Sequence, residues 1–279
     1  MKMYASFLEM STQNHSQFLV LLGFILFFVS SCSPGIYSPN AINVPTLKEK
    51  GDLSVSLSTT LRPPLLSGDN SNQIPFAHNL QSSFAITKNI GIVANGMIEN
   101  YNSNYNNYSN STGSKSFTGN HDESFWEIGA GYFDKFKNVS YLKWNIFAGF
   151  GMGNSTLKNT ADNSMVFKSP YSRVFIQPSI GIFKENFEAS YAMRGSYVSV
   201  GNIDWADNTS LNGKTISGFL LEPCLTLSAG FKNAKIFWQN SGMSSGSELN
   251  KVIDFNTIYS KSQIGVNFSF NLSKRSENR

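Results

Sequence analysis

At 279 residues, the chain is long enough for one large domain or two small ones. Charged residues make up only 14% of it, against about 25% in an ordinary soluble domain. The net charge of +4 is small and scattered, with no Lys/Arg cluster able to track phosphates, which argues against nucleic acid as a partner. Aromatic residues contribute 14%, and Asn and Ser are abundant. Such a composition suits a membrane β-barrel, apolar outside and polar inside, or a secreted β-sandwich.

In chain order, residues 18–29 come first as an unbroken apolar run, FLVLLGFILFFV. A membrane-spanning helix needs about 20 residues, so this run fits the core of a secretory signal. Val29, Ser30, Ser31 and Cys32 follow. They resemble the bacterial lipobox, in which an aliphatic position and two small residues precede a cysteine that is acylated. The resemblance implies cleavage before Cys32 and a diacylglycerol on its sulfur. Lys2 lies far from the apolar run, so the basic flank is weak and the run itself carries the reading. The two cysteines, Cys32 and Cys224, could form a disulfide in an exported protein, but the lipobox gives Cys32 another role. Residues 1–31 are thus expected as signal peptide and 32–51 as a lipidated tether. Pro34, Pro39 and Pro45 in that tether disfavour both helix and central strand.

After Gly51 the pattern has period two, which puts apolar residues on one face of a strand and polar residues on the other. The first segment sets Leu53, Val55, Leu57 and Leu61 against Ser54, Ser56, Ser58 and Thr60. In the second and third, Leu80, Phe84, Ile92 and Ile98 oppose Gln81, Ser83, Asn95 and Glu99. The fourth and fifth set Trp126, Ile128, Trp144, Ile146 and Phe150 against Glu127, Gly129, Lys143 and Gly149. The sixth to eighth set Val174, Ile176, Tyr191, Tyr197 and Leu221 against Arg173, Gln177, Glu188, Arg194 and Glu222. A short ninth runs around residues 235–240, and the tenth ends in Ile264, Val266, Phe268 and Phe270. No stretch after the signal sustains a helical apolar period.

Connections alternate in length. Short ones, several carrying Lys, are expected at 88–89, 134–138, 184–186 and 232–234. Long ones rich in Asn, Ser and Gly are expected at 63–75, 102–122, 154–168, 202–214 and 241–256. Outer-membrane barrels have short periplasmic turns and long external loops. The pattern predicts an all-β, antiparallel, up-and-down transmembrane barrel of about ten strands over 52–271, with a C-terminal tail at 272–279 and both ends periplasmic. A β-sandwich would show the same alternation. The Gly- and Ser-rich polar face and segments of about ten residues favour the barrel.

The lipobox followed by SPGIYSPNAINVPTLKEKGD resembles the start of lipoprotein-type outer-membrane β-barrel proteins of the Bacteroidota. There, a tether with Tyr37, Pro39, Asn40, Val44, Pro45, Lys50 and Gly51 in its pattern leads into the first strand. FAITKNIGIVANG, EIGAGYF, VFIQPSIG and LEPCLTLSAGFKN are similar as well. Phe268-Ser269-Phe270 resembles the aromatic signal read by the barrel-assembly machinery. The resemblance implies fold and location, with outer-membrane lipids and that machinery as partners, and implies no reaction.

Glu99, Glu127, Lys143, Arg173, Glu188, Arg194 and Glu222 fall on the polar parity. A structural ion-pair network filling the lumen is one reading, and a narrow passive channel for small polar solutes is another. A hairpin centred near Ala206 to Asn208 sets Arg194 opposite Glu222, close enough for a salt bridge. His78 and His121, with Ser124 and Glu123 nearby, supply residue types used in hydrolysis and would fit a lipid-modifying hydrolase. Sequence proximity alone is no triad, and no enzyme activity is expected. No metal-ligand spacing is present and no cofactor is implied. The Tyr- and Asn-rich stretch 100–114 is either a solvated loop or a contact surface for glycans or another extracellular ligand. The expected role is therefore structural, or recognition through external loops. One consequence is direct: cells fed a palmitate analogue label the wild-type chain, and Cys32→Ala abolishes the label.

Overall fold

Strict alternation of apolar and polar side chains, interrupted by turn residues, produces eleven antiparallel strands in the computed structural model. The structure describes residues 40–61, 76–110, 113–205, 212–245, 249 and 259–273. The expected signal peptide, Cys32, the loop at 63–75 and the hairpin centre near 206–208 lie outside the described residues. So do nearly all of 246–258 and the tail beyond Ser273.

The strands are β1 (Asp52–Leu61), β2 (Phe76–Ala85), β3 (Ile90–Asn110), β4 (Gly113–Phe136), β5 (Val139–Asn159) and β6 (Met165–Phe183). They continue with β7 (Phe187–Val200), β8 (Asp204–Trp205), β9 (Ile216–Phe231), β10 (Ala234–Ser245) and β11 (Tyr259–Asn271). β8 has two residues and only adds to the end of β6, at Phe167 and Lys168. The other ten each pair with their sequence neighbours, and β1 pairs with β11 through ten residues, from Asp52↔Asn271 to Leu61↔Ser262. The result is a closed, antiparallel, up-and-down β-barrel of ten strands.

Closure fixes both ends of the barrel at one rim. Gly51 turns the chain into β1 at φ 83, its amide donating to Ala85 O at 2.9 Å, and its carbonyl accepts from Leu272 N at 2.9 Å. A Cβ at Gly51 would lie 2.9 Å from Ser273, so the ends meet only because this residue lacks a side chain. The four short turns lie at this same rim. In one, Thr87 Oγ1 accepts from the amides of Asn89 and Ile90 at 3.2 and 2.9 Å.

The opposite rim is extended. β3 to β6 run 21, 24, 21 and 19 residues, about twice the 9–11 that cross a bilayer. Most of the stretches expected as loops at 102–122 and 154–168 are therefore strand. The β3–β4 ladder continues to Asn110↔Gly113, and β5–β6 pairing reaches Lys158↔Met165. The reason is that a ladder needs only paired backbone groups. Asn, Ser and Thr suffice as side chains where the outer face carries no apolar stripe.

The outer face carries the large apolar residues, including Phe231, Phe219, Ile98, Ile236 and Leu57, all more than half exposed. Cross-strand rings pack on that face: Tyr132 with Trp144 at 5.4 Å, Trp126 with Phe150 at 6.3 Å and Tyr197 with Phe219 at 5.0 Å. The inner face is buried. At its lower end Leu47, Ala85, Val93, Phe133 and Phe147 form an apolar floor. At its upper end a larger cluster includes Phe125, Phe167, Tyr171, Val198, Leu220 and Met243. Ile203 and Leu249, from the connections, fold into the mouth to join it, with Leu249 packed against Gly218.

Large inward side chains need small neighbours. Gly149 faces Gly129 across the β4–β5 ladder, and a Cβ on Gly149 would meet Ile128 O at 2.3 Å and Phe175 at 2.7 Å. Gly149→Val should therefore destabilise by about 1–3 kcal/mol, as overpacking does, read as a lower temperature of the gel-mobility shift between folded and boiled forms. Gly96→Ala, at a position with nothing within 4 Å, should leave that temperature unchanged.

Candidate functional site: a plugged polar lumen

Residues 40–47 run as an irregular segment inside the barrel, where the sequence reading had a tether. Asn40, Ala41, Ile42, Asn43 and Leu47 are buried. Pro45 has no amide hydrogen, and the segment forms no strand ladder with the wall. Its backbone groups are satisfied by wall side chains instead, as buried amides require. Ala41 N donates to Asn79 Oδ1 at 3.1 Å. Ile42 N donates to Gln239 Oε1 at 3.1 Å, and Gln239 Nε2 donates back to Ile42 O at 2.8 Å. Gln177 Nε2 donates to Asn43 O at 2.6 Å. The Asn43 side chain donates to Ser82 O at 2.9 Å and to Asn95 Oδ1 at 3.0 Å. Ile42 packs on Ala192 and Cys224.

At the upper end of this segment lies the charged centre. Glu127 from β4 accepts from Arg173 of β6, from Arg194 of β7 at 3.1 Å, and from Asn95. Asn40 lies between them: its Nδ2 donates to Glu127 Oε1 at 3.2 Å, and its Oδ1 accepts from Arg173 at 2.6 Å and from Arg194 at 3.2 Å. Glu222 of β9 faces Arg173 at 3.5 Å and accepts from Ser196 Oγ at 2.9 Å. Each guanidinium also covers a ring, Arg173 that of Phe125 at 4.6 Å and Arg194 that of Phe175 at 4.7 Å. Two arginines and two glutamates make the centre neutral, which offsets the desolvation of burying four charges.

The seven residues picked from sequence thus divide. Glu127, Arg173, Arg194 and Glu222 come together in this centre. Glu188 pairs with Lys235 at 3.1 Å, and Glu99 pairs with Lys261 at 3.0 Å. Lys143 is apart from the others, near the floor, donating to Leu47 O at 3.4 Å beside the Phe183 ring. Arg194 and Glu222 do stand opposite in an unbroken β7–β9 register that passes Met193↔Pro223 without a bulge. The ion pair expected between them is not the one formed: Arg194 takes Glu127, and Glu222 takes Arg173. A cross-strand neighbour is near, but long side chains reach across the lumen to a carboxylate that two guanidinium groups share. Lys235 and Lys261 were missed, although both sit on the polar parity.

His121 and Glu123 face the lumen, whereas Ser124 and His78 face outward. The hydroxyl beside His121 is that of Ser155, 3.0 Å from Nε2, while Glu123 accepts from Tyr171 OH at 2.5 Å. Ser124 therefore belongs to no constellation with His121. Among the described residues, no group of three or more His, Cys, Asp or Glu could hold a metal ion.

The middle of the segment is closely packed, whereas at the lower rim a space of about 580 Å³ borders Thr46 and Leu47. The space bounded by Ile42, Val44, Gln81, Glu188, Gln239 and their neighbours is about 40 Å³, enough for about one or two waters. The lumen is an apolar floor, a polar middle closed by residues 40–47, and an apolar cap.

No protein-family model matches the chain, and no curated protein resembles it at a significant level. Solved structures of barrels do align. The outer-membrane protease OmpT of Escherichia coli matches at 11% identity over 79% of this chain and 94% of that one, with a TM-score of 0.43. The translocator domain of the autotransporter NalP of Neisseria meningitidis matches at 10% identity over 81% and 90%, with a TM-score of 0.42. Ail, the attachment invasion locus protein of Yersinia pestis, matches at 10% identity over 79% and 99%, with a TM-score of 0.29. Likeness at this level gives no guide to role. The expected kinship with lipoprotein-type barrels of the Bacteroidota finds no match beyond the barrel.

Glu127 serves both arginines, so Glu127→Leu leaves Arg194 with no carboxylate and Arg173 with Glu222 alone, and should cost about 3–5 kcal/mol. Glu222→Gln keeps a hydrogen-bonding side chain beside Ser196 and should cost less. Urea midpoints in detergent, followed by tryptophan fluorescence, order the two variants; equal midpoints would mean that Glu127 is no hub.

Proposed function

We propose that this protein is an outer-membrane β-barrel lipoprotein, closed to solutes, that acts through its projecting hairpins as a structural or recognition element. The observation that carries the reading is the seat of residues 40–47 inside the lumen, where Asn40, Ala41, Ile42 and Asn43 are buried against side chains from opposite walls. The apolar outer face supports a lipid surround, because a membrane wall must present apolar side chains and leave no backbone edge unpaired. The long β3–β4 and β5–β6 hairpins on the rim away from the short turns support an external contact surface. The tip of the second is ordered: Asp162 Oδ1 accepts from Ser164 N at 3.0 Å and from Ser164 Oγ at 2.7 Å, which holds its carboxyl below the usual range. An acylated Cys32 lies eight residues before Asn40, a reach of at most about 28 Å. From mid-lumen that reaches either surface of a hydrocarbon core about 30 Å thick.

Planar-bilayer recording tests the closed state. The wild-type protein should be silent, and a variant that lacks residues 33–47 and also opens the upper cluster by Phe167→Ser and Leu249→Ser should give reproducible conductance steps. Steps of the same size from the wild type would contradict the reading and favour a passive channel.

A further inference from the structure

We propose that the lumen is a binding site for an extended peptide, and that residues 40–47 are its resident, removable ligand and not part of the barrel's framework. The proposal deepens the closed-barrel reading and rests on the same lumenal seat. Three features of the molecule carry it.

First, the wall is complete without the segment. All ten long strands close through their own ladders, from β1–β11 to β5–β6, and residues 40–47 contribute to none of them. Second, the wall offers built receptors. Asn79, Gln177 and Gln239, on three different strands, direct carboxamides at the segment's backbone, and Gln239 both gives and takes a hydrogen bond at Ile42. This is how a peptide ligand is held, through its main chain, with side-chain pockets adding selectivity. Third, the segment can leave without stranding a charge. Arg173 and Arg194 keep Glu127 and Glu222 as partners, and the amides left behind can take water. Beyond the buried seat, residues Lys48, Glu49 and Lys50 are exposed at the rim, in a turn where Asp52 Oδ2 accepts from the amides of Lys48 and Glu49 at 2.7 and 3.0 Å, so the segment can be cut there without opening the wall.

The contacts define what the site reads. Position one needs a carboxamide, since Asn40 donates to Glu127 and accepts from two arginines at once. Position two is small, because Ala41 is fully buried. Position three is aliphatic, because Ile42 fills the space against Ala192 and Cys224. Position four is again a carboxamide, with Asn43 donating to Ser82 O and Asn95 Oδ1. The ligand class is an extended segment of the type Asn-Ala-Ile-Asn.

The test uses the chain from Ser33 onward, refolded in detergent with a protease site inserted between Glu49 and Lys50 and cut after folding. A fluorescent peptide of residues 38–47 should then displace the cut fragment saturably. A peptide carrying Asn40→Leu and Asn43→Leu should compete at least tenfold more weakly, since it loses the hydrogen bonds of Asn40 to three charged side chains and those of Asn43 to Ser82 O and Asn95 Oδ1. A chain lacking residues 33–47 that still shows the heat-dependent gel shift should bind the wild-type peptide directly. Loss of the cut fragment on simple dilution, or equal competition by both peptides, would overturn the proposal. A silent wild-type barrel together with no peptide rebinding would leave the closed-barrel reading standing and remove the binding site alone.

Discussion

A wall surrounded by apolar side chains cannot leave a backbone amide or carbonyl to water, so every such group must pair within the wall. That requirement makes the first strand meet the last, and in doing so places Gly51, Leu272 and the four short turns at one rim. It also forces strict alternation, because a strand paired on both sides can only sort its side chains inward and outward. The polar half of the sequence is thereby driven into the lumen. Eight strands enclose a space that side chains just fill; ten leave more. The extra width is what residues 40–47 occupy.

Once polar groups are confined inside, each needs a partner, and the partners come from opposite walls. Glu127 on β4 reaches Arg173 on β6 and Arg194 on β7, while Asn40 bridges all three. The segment is thus held by chemistry that the barrel already required for its own inward face. Its backbone meets amides and not strands, and Pro45 is compatible with that arrangement where it would disrupt a ladder. Above and below, Phe125, Tyr171 and Leu249 on one side and Leu47, Phe133 and Phe147 on the other close the ends with apolar contacts.

The strands and their facing were legible because period-two alternation is the direct imprint of one apolar and one polar surface. The Lys-bearing short turns were legible for the same reason, as breaks in the alternation. Two things were not. The Asn- and Ser-rich stretches after Glu99 and Gly153 carry no continuous apolar stripe; their ladders rest on backbone pairing with scattered side-chain contacts, such as Asn120 with Asn102 and Leu157 in the upper cluster, which leave no period in the sequence. The lumenal segment also has no periodicity, since each of its residues answers to a different wall strand. A signal did exist in the wall: Asn79, Asn95, Gln177 and Gln239 all fall on the inward parity. Four carboxamides facing inward are more than ion pairs need, and they fit a guest backbone. Partner choice within the charged centre was also beyond reach, because it depends on side chains meeting across the lumen and not along a ladder.

The central claim is that residues 40–47 lie inside the barrel, and the most direct measurement is the reactivity of a thiol placed there. Ile42→Cys puts a sulfur against Ala192 and Cys224. In the folded barrel it should resist a soluble maleimide and react fully only after boiling in detergent, whereas Lys48→Cys at the exposed rim should react at once. Equal labelling rates at the two positions in the folded protein would contradict the account.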